Sequence, residues 1–297
     1  MPQPITQLLQ PAGKLIGPQE AELLLSHTLK KPREYIISHP EVKAGFFTSF
    51  KYHRLVKKRY KGIPIAYLTG HKEFFGLDFL VNKHTLIPRP ETETIVEEVI
   101  NQLQHLEHLQ HFEHLLIDVG TGTGCIPISI IKALAPNPMW FRVKTFGIDI
   151  SKKALRVAKK NTKKHNVKIK FLYGDLLQPI LNKKLLIANC SLIIVANLPY
   201  LTKKQFSSEP SIQHEPKSAL IAEDNGLALY KQLLTQIQQL RITDYELRVT
   251  SYLEIDPSQS QEISAFIKEI MPSAKIEIKK DLAGLDRVII FTLQKAT

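Results

Sequence analysis

Leu115-Leu116-Ile117-Asp118-Val119-Gly120-Thr121-Gly122-Thr123-Gly124 decides the fold class of this 297-residue chain. Its apolar run is continuous rather than alternating, the pattern of a strand buried on both faces. Glycines at three alternate positions follow at once. Glycine permits a tight turn and lets backbone approach a ligand closely. Residues 126–134 are apolar enough to begin a buried helix, and Pro127 suits its first turn, where the missing N–H is not needed. Strand, glycine turn and helix predict the nucleotide-binding corner of an open α/β sheet, with ligands at the carboxyl ends of the strands.

Downstream the same alternation repeats. Residues 143–150 read as a second strand ending at Asp149, 168–173 as a third ending in Gly174-Asp175, and 191–196 as a fourth ending in Asn197. A fifth strand is expected over 247–255, and residues 274–280 and 287–293 read as a closing antiparallel pair. The segments 152–166, 227–240 and 261–271 read as the intervening helices, so the sheet is expected to be mainly parallel. Upstream, residues 1–60 read as helical, with apolar spacing over 20–29 stopped by Pro32 and a basic amphipathic piece over 51–60. Residues 74–81 predict a hairpin, two prolines extend the segment 86–93, and 92–106 reads as a helix. The expected domains are a helical one with a hairpin connector over 1–80 and a sheet domain over 81–297. His105, His108, His111 and His114 recur every third residue, with no accompanying cysteine or H-E-x-x-H pattern. They read as a solvated helix end leading to a linker, and no metal is assigned.

Lys plus Arg number 40 against 28 for Asp plus Glu, a net charge of +12. That balance fits an anionic partner such as RNA or a ribonucleoprotein, and equally a set of solvated lysine faces. Two cysteines, Cys125 and Cys190, are too few for a disulfide scaffold and fit a reducing compartment. No stretch of about 18 apolar residues is present, and residues 1–10 lack a signal pattern. A cytoplasmic protein with no membrane partner is expected.

The glycine loop excludes two chemistries. A dinucleotide fingerprint needs glycine where Cys125 stands, and a phosphate-binding loop needs Gly-Lys-Ser/Thr, which is missing. What remains suits a ligand with a nucleoside and no pyrophosphate, such as S-adenosylmethionine. Asp149, at a strand end, is placed to accept from both ribose hydroxyls, since Ser151 is better placed to cap the next helix. Asp175 stands where an adenine amino group is met, with Leu176 beside it to pack on the base. The sharpest signal is Asn197-Leu198-Pro199-Tyr200. An amide or aromatic amine is a poor nucleophile because its lone pair is delocalised. The side-chain oxygen of Asn197 and the backbone carbonyl of Leu198 can hold its two N–H groups and aim the lone pair at a methyl donor. Pro199 keeps Leu198 extended, and Tyr200 is suited to pack on a planar group.

Further segments carry a resemblance. Pro64-Ile65-Ala66-Tyr67-Leu68-Thr69-Gly70 with Glu73-Phe74, then Leu86-Ile87-Pro88-Arg89-Pro90-Glu91-Thr92-Glu93, and Glu215-Pro216-Lys217-Ser218-Ala219-Leu220 with Gly226-Leu227 are similar to segments of one family. So are Glu254-Ile255 with Gln259, and Asp281, Gly284 and Arg287. The whole length resembles the bacterial release factor glutamine methyltransferases of the HemK/PrmC type, with a looser match over the first 60 residues. The resemblance implies a Rossmann-like class I S-adenosylmethionine-dependent methyltransferase fold: a mostly parallel seven-stranded sheet with an antiparallel closing strand, plus a small helical N-terminal domain that helps hold the substrate. It implies S-adenosylmethionine as donor and S-adenosylhomocysteine as product. Its implied substrate is the glutamine of the Gly-Gly-Gln loop in class-1 peptide chain release factors, methylated on the side-chain nitrogen by a chain expected to be monomeric. By position, Gly120, Thr121, Gly122, Thr123, Gly124, Asp149, Leu176 and Asn197 fall on donor-binding sites, and Asn197 to Tyr200 on the site for the glutamine amide.

Three positions depart from the family pattern. Leu198 replaces the first proline of Asn-Pro-Pro-Tyr, Asp256 stands where glycine is frequent, and Leu176 where an aromatic residue occurs. Asn-Leu-Pro-Tyr also resembles the ribosomal RNA adenine dimethyltransferases, so an N6-adenine methyltransferase acting on RNA or DNA is the alternative. A binding module without activity is the third reading, opposed by the intact glycine loop and Asn197.

Overall fold

At the N-terminus, apolar residues at spacings of three, four and seven give several short helices a shared buried side. In the computed structural model, which describes residues 2–105, 113–135, 143–183, 190–243 and 248–293, a two-residue strand β1 (Gln3–Pro4) pairs with β2 (Lys43–Ala44). Helix α1 (Ile5–Ile16) buries Ile5, Leu8 and Ala12, and α2 (Pro18–Leu29) buries Ala21, Leu24 and Leu25. Ile36 comes from α3 (Arg33–Ser38), and Tyr52, Leu55 and Val56 from α4 (Phe46–Tyr60). A short α5 (Ile65–Thr69) follows. The helices expected over 20–29 and 51–60 both extend N-terminally, α2 because Pro18 is tolerated in its first turn. Met1–His71 with Pro210–His214 form one compact unit, and Lys72–Glu209 with Glu215–Thr297 form the other.

The hairpin is β3 (His71–Phe74) and β4 (Leu77–Leu80). Phe75 and Gly76 turn it with φ of +52° and +68°, the left-handed pair of a two-residue loop matched to strand twist. The sequence reading groups this hairpin with the helical domain; all but its first residue fall in the second unit. Phe74 and Phe79 are the reason, since they pack in one cluster with Ile95, Val96 and Val99 of α6 (Glu93–His105).

The second unit continues with β5 (Glu113–Val119), α7 (Cys125–Leu134), β6 (Val143–Asp149), α8 (Lys152–His165), β7 (Lys170–Tyr173), α9 (Gln178–Lys183) and β8 (Cys190–Ala196). Then come α10 (Lys203–Ser208), α11 (Ala228–Thr243), β9 (Arg248–Glu254), α12 (Ser260–Ile270), β10 (Lys275–Lys280) and β11 (Asp286–Leu293). The seven strands lie in the order β10-β11-β9-β8-β5-β6-β7. All neighbours from β9 to β7 are parallel, while β11 runs antiparallel to both β9 and β10. This is the mostly parallel sheet with an antiparallel closing strand that the sequence predicts; the short β1, β2, α5, α9 and α10 are additions to that reading.

The sheet is apolar on both faces. Leu115, Ile117, Val119, Leu192 and Ile194 enter one core with α11 and α12, while Leu116, Ile193 and Val195 enter another with α6 and α7. Alternate residues of one strand thus face different cores, which is why the run at 115–119 reads as continuously apolar. His114 is 1% exposed within β5. It is not solvated as expected, because a strand covered on both faces has no wet side. His108 and His111 lie outside the described residues, as does the side chain of His105. Among the described residues no helix is long and apolar enough to cross a membrane. Chain order reverses at β5, with β6 on one side and β8 on the other. A crevice at such a switch point opens between the carboxyl ends of the two strands.

Candidate active site

The loop after β5 is tied to β6 by its backbone. Both Gly120 N–H and Thr121 N–H donate to Ile148 O at 2.9 Å. Gly120 has φ +76°, and a Cβ there would lie 3.0 Å from Leu198 Cδ2. Backbone conformation and close approach of the next loop therefore both require glycine. Gly122 N–H donates to Asp149 Oδ2 at 2.9 Å and Ser151 N–H to Asp149 Oδ1 at 2.7 Å. Each carboxylate oxygen keeps a further lone pair for a ligand hydroxyl. Burial pushes the Asp149 carboxyl above the usual carboxylate range, and the Ser151 and Gly122 N–H groups pull it back. Ser151 caps α8, accepting from Ala154 N–H at 3.1 Å, as its position predicts.

A cavity of about 370 Å³ opens here, within the range of small-ligand sites. Its wall includes loop residues 120–123, Asp149, Asp175, Leu176, and Asn197 to Pro199. The structure thus brings most of the sequence-selected residues to one space. One Asp175 oxygen accepts from Gln232 Nε2 at 2.9 Å. Gly124 and Tyr200 lie behind this wall. A Cβ on Gly124 would meet Ile128 at 3.3 Å and Ala158 at 3.4 Å, so that glycine serves helix packing. The Tyr200 hydroxyl donates to Glu254 Oε1 at 3.4 Å.

Within the sheet unit, several segments that carry the family resemblance brace the Asn197 loop and its neighbours. Ile87 N–H donates to Glu215 Oε2 at 2.9 Å, and the Arg89 guanidinium pairs with Glu215 Oε1. Gln259 Nε2 donates to Tyr200 O and to Asn225 O, each at 3.0 Å. Asp256, the departure from glycine, caps the turn that carries Gln259, accepting from Ser258 N–H at 3.0 Å. A Cβ on Gly226 would fall 2.0 Å from Tyr200 O. Arg287 donates twice to Asp281 Oδ2, at 3.0 and 3.1 Å, and once to Ile255 O at 3.3 Å.

Leu198 has its own brace. Its side chain is 4% exposed and belongs to the core under α11. Its N–H donates to the Tyr230 hydroxyl at 3.1 Å, and that hydroxyl donates in turn to Glu254 O. A proline at 198 has no N–H to give. Burial and one hydrogen bond thus hold position 198 without a proline ring.

Sequence reasoning assigns no role to three residues of this site. Asn197 Nδ2 donates to Thr92 Oγ1 at 3.0 Å across 105 residues of chain. Glu254, 1% exposed, stands beside Thr92 and Tyr200; burial pushes its carboxyl up to about 7, against the Thr92 hydroxyl and Arg287. Asp118, 1% exposed under the glycine loop, has neither carboxylate oxygen hydrogen-bonded. Burial pushes it up to about 7; the nearby Thr121 hydroxyl, outside hydrogen-bonding geometry, opposes this, and Asp149 adds to it. The signal available was the one that selects Asp149, an acid at the end of an otherwise apolar strand.

This donor set fits S-adenosylmethionine. It offers a strand-end carboxylate with spare lone pairs for a diol, an apolar Leu176 for a base, and a glycine loop with no phosphate-binding lysine.

Comparison with known proteins agrees. Residues 3–70 match the PrmC N-terminal domain and residues 113–256 a methyltransferase domain. The release factor glutamine methyltransferase of Enterococcus faecalis is 38% identical over 229 residues, covering 76% of this chain and 75% of that one. Its namesake from Bacillus subtilis is 31% identical over 277 residues, covering 93% and 91%. The N-terminal domain of human METTL16 in complex with S-adenosylhomocysteine shares the fold, with a TM-score of 0.52 at 16% identity over 92% and 94% of the two chains. The relatives favour the glutamine reading over the adenine one, and the chain belongs to the family of release factor glutamine methyltransferases.

Proposed function

We propose that this chain methylates the side-chain amide nitrogen of the Gly-Gly-Gln glutamine in class-1 peptide chain release factors, acting as a monomer in the cytoplasm. One observation carries the reading: Asn197 and Leu198 share a cavity with the glycine loop and Asp149, so amide acceptors and donor-binding groups face one space. S-adenosylmethionine, when bound, supplies an electrophilic methyl group on a positively charged sulfur. Asp149 is proposed to hold the ribose hydroxyls, Leu176 and Asp175 the adenine, and residues 120–123 the backbone of the amino acid portion. Asn197 Oδ1 and Leu198 O accept the two N–H groups of the substrate amide. Fixed in this way, the nitrogen presents its lone pair rather than an N–H to the methyl group, which is catalysis by positioning. With a donor bound, the N–C bond would form as the methyl–sulfur bond breaks and the sulfur leaves as a neutral thioether, and the same two acceptors would favour the positive charge that develops on nitrogen. One N–H proton would then pass from that nitrogen to solvent, restoring a neutral amide. The helical N-terminal unit is read as the part that holds the release factor.

The test is mass spectrometry of release factor peptides after incubation with this protein and S-adenosylmethionine. A single added methyl on the Gly-Gly-Gln glutamine is the expected result. Donor binding without that methyl rules the substrate out.

A further inference from the structure

The amide of Asn197 has two ends of nearly equal shape and opposite hydrogen-bonding character. With oxygen toward the cavity it accepts from a substrate amide; with nitrogen toward the cavity it repels one. Something must choose between the two orientations. Thr92 is the group in contact, with its hydroxyl oxygen 3.0 Å from Asn197 Nδ2. It is 2% exposed and ends the 3-10 turn Pro90–Thr92, whose own N–H is bound to Arg89 O at 3.1 Å. A hydroxyl can donate or accept; in the structure this one accepts from Asn197 Nδ2, so the nitrogen end of the amide is turned to it. Oδ1 is then the end that remains for the cavity.

We propose that Thr92, held in the 3-10 turn Pro90–Thr92, is the positioning residue that orients Asn197 toward the substrate amide. The inference rests on the reading of Asn197 as an amide acceptor. It deepens that reading by assigning the hydroxyl that fixes the orientation.

The experiment compares Thr92→Val, Thr92→Ser and Asn197→Ala, with kcat and KM measured on a release factor, donor affinity by calorimetry, and melting temperature. Thr92→Val keeps the shape and removes the hydroxyl. Its kcat is expected to fall about 10- to 100-fold, the scale of a misplaced reacting group. Donor affinity is expected to change less than kcat, because Asp149 and the glycine loop are untouched. Thr92→Ser, which keeps the hydroxyl, is expected to recover most of the lost kcat. Should the valine variant fail to fold, Thr92→Ala takes its place against Thr92→Ser with the same expectations. Wild-type kcat in Thr92→Val together with lost turnover in Asn197→Ala overturns the inference and leaves the functional reading standing. A loss in Thr92→Ser equal to that in Thr92→Val overturns it too, since the hydroxyl is then not the cause. Full turnover in Asn197→Ala removes the functional reading itself.

Discussion

The helical N-terminal unit and the sheet unit bury different kinds of side chain. Among the described residues, the first buries apolar groups and the hydroxyls of Ser49 and Tyr52. Its carboxylates Glu20 and Glu22 stay half-exposed, paired with Arg59 and Arg33 at 2.6 Å. The second buries Asp118, Glu215 and Glu254, each between 1% and 4% exposed. A buried carboxylate is destabilising unless it is paired, hydrogen-bonded or protonated. Glu215 is paired with Arg89; Asp118 is not. Packing alone gives no reason to place Asp118, Asp149 and Glu254 at the carboxyl ends of three strands of one sheet. The contrast separates a core that holds shape from a core that also holds chemistry.

The largest expected effect lies at Asp118. Its carboxyl is pushed up to about 7 by burial, well above an unfolded carboxylate. The folded chain therefore keeps a proton that the unfolded chain gives up from about pH 4 upward. Stability from this group is complete below the unfolded value and is lost as pH rises to about 7. Asp118→Asn cannot titrate. Its unfolding free energy relative to the parent should rise by a few kcal/mol between about pH 4 and pH 8, then level off. Urea denaturation of both proteins across that range reads the difference. Glu254 shifts the same way and Asp281 the opposite way, but both are present in each protein and cancel. Parallel curves would mean that Asp118 is no burden to the fold, and the contrast between the two cores would collapse.

This contrast was half legible in the sequence. The β5 run, the glycine loop, Asp149 and Asn197-Leu198-Pro199-Tyr200 are local patterns, and each was readable because strand ends and turns are written in adjacent residues. Thr92, Tyr230 and Glu254 carry no role legible in the sequence, because their partners lie far along the chain. Thr92 meets Asn197 across 105 residues, and Glu215 meets Ile87 across 128. Local pattern carries no information about such pairs. Glu254 and Asp118 still had a visible sign, an acid closing an apolar strand, and the rule applied to Asp149 covers them as well. His114 went the other way: a charged-looking repeat suggested solvent, while its place at the start of a doubly covered strand put it inside.

A smaller effect is expected at Tyr230. Its hydroxyl takes the Leu198 N–H and gives a proton to Glu254 O, all within the core. Tyr230→Phe removes both bonds and keeps the ring. Two buried backbone groups then lack a partner, at about 1–3 kcal/mol for each group left unsatisfied. Leu198 also loses what holds its backbone, so kcat should fall more than donor affinity. Adding Leu198→Pro sharpens the point. That change abolishes the N–H by itself, so the second substitution should cost less in the proline background than alone. Full additivity would show that Tyr230 does not act through Leu198.

The smallest effect is expected in the other unit, at the Arg33–Glu22 pair. Its side chains are 41% and 20% exposed, so water screens the attraction and competes for both groups. Arg33 is also the first residue of α3, where a positive charge faces the positive end of the helix. Arg33→Ala therefore removes one favourable contact and one unfavourable one. The net loss should stay below about 1 kcal/mol by denaturant unfolding and shrink further in 1 M salt, where the Debye length is about 3 Å. A loss of several kcal/mol, insensitive to salt, would give the helical unit a polar interior of its own. Buried charge would then be a habit of this chain, and its presence at the ends of β5 and β9 would no longer point to a site.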